Sequence, residues 1–322
     1  MSPDPTHTGP VRHRKNGFVV IACDTCGFVH VAPVPTAQEL EHLYHHAYYT
    51  TEKPTYIERY REDQAWWDLV NDDRLDDLEK AHGATMGRLL DVGSGPGLLL
   101  ERARGRGWDV VGIEPSSQAV AHSRSLGLTI VEDFLDAHTA PALTASGRFQ
   151  AIHCSFVLEH LPDPAGMLSL LSDLLVPDGA LLLAVPNDEN PIQYAAVATQ
   201  GLQPWWIAPP HHLNYFTPTS LQGLVERVGF EVVDIQTSFP IDQFLLMGDS
   251  YVGNDALGRQ VHKRRMAFEL AMKAAGQNDA RRELQRAQAR AGIGREVVIV
   301  ARKPSAPAIN LTSISDNNTA TQ

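Results

Sequence analysis

From residue 87 onward the chain alternates short apolar runs with amphipathic stretches. Leu89–Val92, Val110–Ile113, Thr129–Val131, Phe149–Cys154, Ala180–Val185, Val232–Gln236 and Glu296–Ala301 read as strands. Between them, helical spacing covers Leu98–Arg104, a segment capped by Ser116 or Ser117 and closed by Gly127, and about Ala165 to Leu175. A further helix has Thr217 as its cap, Pro218 at its first position and Gly229 at its end. Val176-Pro177-Asp178-Gly179 reads as a turn. Strands alternating with helices predict an α/β fold on a mainly parallel sheet.

The flanks read differently. Phe18 to His30 reads as a small hairpin with Cys23-x-x-Cys26 at its turn. Thr36-Ala37-Gln38-Glu39 is a capping box opening a helix with Leu40, Leu43 and Tyr44. A polar helical stretch runs from about Thr55 to Lys80, with Tyr56, Tyr60, Trp67 and Leu78 on one stripe and Gly83 ending it. Residues 1–85 are therefore expected to form an N-terminal hairpin and helical cap over the catalytic face. Residues 86–240 with 294–304 form the core, 241–293 an Arg/Ala/Leu-rich helical insertion, and 305–322 a polar, disordered tail.

Composition narrows the class. Hydrophobic content of 43% and charged content of 20% suit a chain that buries a substantial core. No apolar run reaches membrane-spanning length, and Met1 to Pro10 has no signal-peptide core. Three cysteines give no disulfide framework, so a reducing cytoplasm is expected. A net charge of −11 argues against nucleic acid as a partner. The charge is uneven: Arg259 to Lys303 holds 12 Lys/Arg against 4 Asp/Glu. Arg282, Arg286 and Arg290 share one helix face, with Arg264 and Arg265 nearby. This surface reads either as a solvated face or as a site for an anionic handle on a substrate, such as a nucleotide diphosphate or a carrier-linked phosphopantetheine.

Candidate chemistry centres on Leu89-Leu90-Asp91-Val92-Gly93-Ser94-Gly95-Pro96-Gly97, a buried strand running into a glycine turn and a helix. The dinucleotide fingerprint places glycines at relative positions one, three and six, whereas these fall at one, three and five, with Leu98 at the sixth. Asp91 would repel a pyrophosphate but suits an α-ammonium group. Glu114 ends the next apolar run at the right distance to take a ribose diol. Adenosine joined to an amino acid without phosphates describes S-adenosylmethionine. LLDVGSGPG followed by VVGIEPS resembles the first two motifs of the class I S-adenosylmethionine-dependent methyltransferases.

That resemblance implies a Rossmann-like seven-stranded sheet of order 3-2-1-4-5-7-6 with the seventh strand antiparallel and helices on both faces. It implies donor binding by Asp91, Gly93, Ser94, Gly95, Gly97, Glu114, Pro115 and Ser155, with Asp133 taking the adenine amino group and Phe134 packing on the ring. Ser155 to Pro164, containing Glu159-His160-Leu161, resembles a segment of small-molecule methyltransferases. It lacks the Asp/Asn-Pro-Pro-aromatic sequence of enzymes that methylate nucleic-acid bases. His212-Leu213-Asn214-Tyr215-Phe216-Thr217 resembles a motif whose histidine faces the acceptor.

His212 is thus the first catalytic candidate and His160 the second, both able to act as bases near neutral pH. His211 stands where sugar C-methyltransferases often have Glu, a departure that weakens any carry-over of their enolising mechanism. Tyr48, Tyr49, Trp206 and Tyr215 are expected on the acceptor side, with packing against the core as the alternative for the first two. Cys23-x-x-Cys26 resembles the second knuckle of a zinc ribbon that precedes some sugar methyltransferase domains. A tetrahedral site needs four ligands, the first cysteine pair is absent, and His13 and His30 match no known spacing, so zinc is not expected.

The resulting expectation is methyl transfer to a small molecule, a sugar nucleotide or secondary metabolite, by in-line displacement at oxygen. C- or N-methylation of a deoxysugar is the alternative. Two other classes remain: an NAD-dependent oxidoreductase and a non-catalytic donor-binding scaffold. The expected partner is a small, anionic or neutral acceptor rather than nucleic acid or a membrane, and a homodimer is left open.

Overall fold

The computed structural model describes residues 7–35, 56–83 and 86–305. The Thr36–Glu39 capping box, Tyr48 and Tyr49 lie outside the described residues. The chain opens with three short strands, β1 (Val11–Lys15), β2 (Phe18–Ala22) and β3 (Val29–Ala32). Two helices follow, α1 (Tyr56–Glu62) and α2 (Gln64–His82). The alternating region then lays down β4 (Arg88–Val92), α3 (Leu98–Gly105), β5 (Asp109–Ile113), α4 (Ser117–Ser125), β6 (Thr129–Val131) and α5 (Ala140–Thr144). It continues with β7 (Phe149–Ser155), α6 (Pro164–Leu174), β8 (Leu175–Pro186), α7 (Pro191–Gln200), β9 (Asn214–Tyr215), α8 (Pro218–Arg227) and β10 (Glu231–Thr237). Three helices, α9 (Gln243–Leu246), α10 (Asp255–Ala274) and α11 (Asn278–Arg290), lead to β11 (Glu296–Arg302).

The large sheet runs β10-β11-β8-β7-β4-β5-β6. Neighbours from β6 to β8 are parallel, and β11 is antiparallel to both β8 and β10. Counted from Leu89, this is the expected order 3-2-1-4-5-7-6. Continuous apolar runs suit it, because a parallel strand under helices is buried on both faces. Leu89 joins Leu182, Val300, Leu75, Leu78, Leu99 and Leu100 in one cluster. Leu90 and Val92 join Leu181, Leu183, Leu168, Leu171, Leu221 and Leu224 in another. The period-two alternation of side chains thus feeds a core on each side of the sheet.

The structure departs from the sequence-based expectation in three places. The helix expected over 55–80 breaks at Asp63, and its longer part is also built into the core: Leu75 and Leu78 are fully buried beside β4. The turn at Val176–Gly179 is absorbed into β8, although Asp178 keeps a left-handed φ of 59°. The N-terminal hairpin is not free-standing, since β3 pairs with β9 and completes a four-stranded sheet. That sheet buries Val20 and Val31 against Trp206, Ile207, Leu213 and Tyr215. Among the described residues no helix is long and apolar enough to cross a membrane.

The arginines of the basic insertion are drawn into ion pairs, some of them exposed to solvent. Arg282 is ion-paired with Asp73 and Asp77, Arg286 with Asp234, Arg290 with Glu283, and Arg264 with Asp249. Arg281 is buried and hydrogen-bonds Asp73 and Asn278. On its other side, α2 receives Arg102 and Arg106 of the α3 segment, both bonded to Asp72. The acidic helix is therefore clamped between two rows of arginines. Removing one member of a buried pair strands its partner in low dielectric. Arg281→Ala is expected to lower the unfolding free energy by about 3–5 kcal/mol. Arg290→Ala, at an exposed pair, should cost less than about 1 kcal/mol. Equal, small losses in denaturant titrations would show that the clamp does not stabilise the fold.

Candidate active site

The loop between β4 and α3 has Gly93, Gly95 and Gly97 at φ of 69°, 51° and 80°. This left-handed region costs an L side chain roughly 1 kcal/mol or more, which explains the alternating glycines. Space reinforces the choice: a Cβ on Gly93 would sit 2.8 Å from Val157, and one on Gly97 2.5 Å from Leu128. The turn is hung from the neighbouring strand, with the amides of Gly93 and Ser94 donating to the Ile113 carbonyl. Glu114 then fixes its tip, one carboxylate oxygen accepting from the Gly95 amide and the other from Ser116, each at 2.9 Å. Burial raises the Glu114 pKa, and the two amides act in the opposite direction.

Beneath the turn lies a second polar chain that the sequence reading missed. His153, buried on β7, donates from Nδ1 to Asp91 at 2.6 Å. Its Nε2 accepts from the Ser155 hydroxyl at 2.7 Å. Burial lowers the His153 pKa, so the ring is neutral and its tautomer follows from these two bonds. Period-two spacing is the signal that would have found it, because His153 and Ser155 share a face of the strand register that sets His153 beside Asp91.

A cavity of about 940 Å3 opens over this turn. Its walls include Asp91, Gly93, Ser94, Gly95, Glu114, Pro115, Asp133, Phe134 and Ser155. All but one of the predicted donor-side residues are thereby brought together; Gly97 faces inward against Leu128 and Ser123. Phe156, next to Ser155, holds a left-handed φ of 57°, a conformation bulky residues adopt rarely and often at functional sites.

The cavity continues past the turn to Tyr60, Trp67, His160, Met167, Ile241, His262 and Arg265. Tyr60 and Trp67 are stacked at 5.5 Å with planes 19° apart. His160 donates from Nδ1 to the His211 carbonyl at 2.6 Å, and its Nε2 lies 3.7 Å from a Glu159 carboxylate oxygen. The ring of His212 stands edge-on to that of His160 at 5.1 Å but is not part of the wall. Glu159, His160 and His212 bring one ligand atom each within 4.8 Å of one another. Trp206 and Tyr215 do not reach the cavity. They are buried under the N-terminal sheet, where the Tyr215 hydroxyl donates to the His212 carbonyl and the Trp206 indole to Glu189. The 203–216 loop is aromatic because it forms that small core. His262 was also missed; burial and the nearby Arg265 push its pKa down to about 4, so it faces the cavity as a neutral imidazole.

Comparison with known proteins decides the class. The family model described as a methyltransferase domain matches residues 59–235, more than half of the chain. This chain belongs to the class I S-adenosylmethionine-dependent methyltransferases. Its cofactor is therefore S-adenosylmethionine, and the NAD-dependent oxidoreductase alternative falls. A ubiquinone biosynthesis O-methyltransferase of Actinobacillus pleuropneumoniae is 37% identical over 38% of this chain and 59% of its own length. The chain thus spans under two thirds of that relative. One of the same name from Aeromonas salmonicida is 29% identical over 53% of this chain and 78% of its length. Among solved structures, a methyltransferase from Archaeoglobus fulgidus is 18% identical with a TM-score of 0.47, covering 77% of this chain and 99% of its own.

The residues fit this methyltransferase's donor: a turn that Cβ atoms would fill, a fixed carboxylate at the end of β5, and an aromatic ring at the rim. Because Glu114 shapes the turn through two amides, Glu114→Ala should weaken S-adenosylhomocysteine binding at least about tenfold. Calorimetry on folded variant would measure it. Unchanged affinity would mean that the turn keeps its shape without the carboxylate.

Proposed function

We propose that the chain transfers a methyl group to a hydroxyl oxygen of a small organic acceptor, with His160 taking up the hydroxyl proton. The observation that carries this reading is one cavity joining the glycine turn and Glu114 to His160, Tyr60, Trp67 and Met167. When bound, S-adenosylmethionine supplies a methyl group already activated by its sulfonium charge.

The chain's own task is then to position and to take up a proton. Asp91, held by His153, is the partner we assign to an α-ammonium group. Glu114 is assigned to the ribose diol, Asp133 to the adenine amino group, and Phe134 to the ring face. His160 is the base we assign, since it lines the cavity, the His211 carbonyl holds its ring through Nδ1, and the Glu159 carboxylate stands 3.7 Å from its Nε2, where it would favour the protonated ring. His212 and His211 act behind it, as ring neighbour and carbonyl anchor. The stacked Tyr60–Trp67 pair offers an apolar wall, which favours a flat secondary metabolite over a nucleotide-linked sugar. Relatives named O-methyltransferases support oxygen as the attacking atom.

The test is release of S-adenosylhomocysteine with phenolic, hydroxylated and sugar-nucleotide acceptors, followed by NMR of the product. An oxygen-linked methyl is expected; a carbon- or nitrogen-linked one overturns the reading. His160→Ala should then lower kcat by about 100-fold or more with donor affinity unchanged, and should flatten the acidic limb of the pH profile. Wild-type kcat in that variant would remove the base assignment.

A further inference from the structure

The N-terminal hairpin gathers four metal-ligating side chains that the methyl-transfer site does not use. His7, Cys23, Cys26 and His30 each offer one ligand atom, and these atoms all lie within 4.8 Å of one another. His7 Nδ1 is 3.3 Å from Cys26 Sγ and 3.7 Å from Cys23 Sγ. A zinc ion bound at ~2.3 Å to sulfur and ~2.0 Å to nitrogen holds its tetrahedral ligands ~3.3–3.8 Å apart. Both separations from His7 to sulfur fall within that range, and the remaining ligand atoms lie within 4.8 Å of one another.

The local backbone has the form such a site needs. The Cys26 amide donates to Cys23 Sγ at 3.4 Å. Gly27, at φ of 74°, closes the turn by donating its amide to the Cys23 carbonyl at 2.9 Å. His30 is 2% exposed and donates from Nδ1 to the Val31 carbonyl at 2.8 Å. A backbone carbonyl on one ring nitrogen is the usual way of presenting the other to a metal. That other nitrogen, Nε2, is buried with no hydrogen-bond partner among the described residues. An orphaned imidazole nitrogen costs free energy unless something fills the place in front of it.

We infer that His7, Cys23, Cys26 and His30 form a structural zinc site that fastens the N-terminal sheet to the acceptor side of the catalytic domain. Two thiolates and two imidazoles in a closed tetrahedron select zinc and leave no position for substrate. The link to the active site runs through the backbone. His30 sits opposite Asn214 across β3 and β9, and the Val31 amide donates to the Leu213 carbonyl. The Leu213 amide donates in turn to the Glu159 carbonyl at 2.7 Å. On the other side Phe28 packs on Phe216 at 5.0 Å, and Arg227 donates to the Cys26 carbonyl at 2.5 Å. The ion therefore stands behind the strand that carries the His211–His212 segment. His13, the other histidine considered from sequence, is engaged with Glu189 at 2.6 Å.

The full chain purified without chelator should contain about one zinc per molecule by mass spectrometry of the metal, held with an affinity of about nanomolar or tighter. Exchange for cobalt should give the visible bands of a tetrahedral ion together with sulfur-to-cobalt charge transfer. Cys26→Ser, His7→Gln and His30→Gln should each lose stoichiometric zinc under chelator challenge, whereas His13→Gln should keep it. Zinc removal should lower Tm while the calorimetric response to S-adenosylhomocysteine persists. Where the variants aggregate, the cobalt spectrum of the wild-type chain decides. Substoichiometric zinc after loading, a cobalt spectrum without sulfur charge transfer, a Cys23–Cys26 disulfide in the fresh protein, or a His7→Gln variant spectrally identical to wild type would each overturn the four-ligand site.

Discussion

The fold's working end depends on a single buried carboxylate. Glu114 leaves the last residue of β5 and takes the amides of Gly95 and Ser116, so one side chain sets both the donor turn and the start of α4. A turn of three left-handed glycines has no side chains of its own to stiffen it. Its rigidity is borrowed from the neighbouring strand β5, through the Ile113 carbonyl and, just past the strand, the Glu114 carboxylate. The Asp91–His153–Ser155 chain does the same one strand further over. Preorganisation of this kind keeps the ordering cost out of the binding step.

Charge distribution serves assembly more than recognition. The excess of arginine near the C-terminus and the excess of aspartate on α2 are two halves of one set of contacts. Asp72 takes the α3-side arginines, and Asp73 and Asp77 take those of α11. Together with the buried Leu75 and Leu78, these pairs fix the helix that sets Trp67 and Arg74 at the cavity.

The strands and the donor turn were legible because each rests on local pattern, apolar runs buried on both faces and glycines where φ is positive, whereas the sheet order came with the resemblance to the methyltransferase family. The second polar chain was not legible, since His153 lies in an apolar run and acquires meaning only from the strand pairing that sets it beside Asp91. His212 stood out by motif, yet His160 holds the cavity wall because the His211 carbonyl turns its ring. Trp206 and Tyr215 have the composition of a binding wall, but their loop meets the N-terminal sheet, a contact between segments roughly 190 residues apart in sequence. His30 was weighed beside Cys23 and Cys26 from sequence, but His7 was hidden for the same reason: the two histidines flank the pair at unequal distances and converge only when the hairpin closes.

The place of β11 has a consequence for synthesis. It fills a slot between β8 and β10 instead of extending an edge, so the sheet stays divided until the chain has been made as far as Arg302. Until then β8 presents one unsatisfied row of amides and carbonyls, and α2 carries carboxylates whose arginine partners on α11 do not yet exist. The C-terminal segment thus brings both the missing strand and the arginine partners of Asp73 and Asp77.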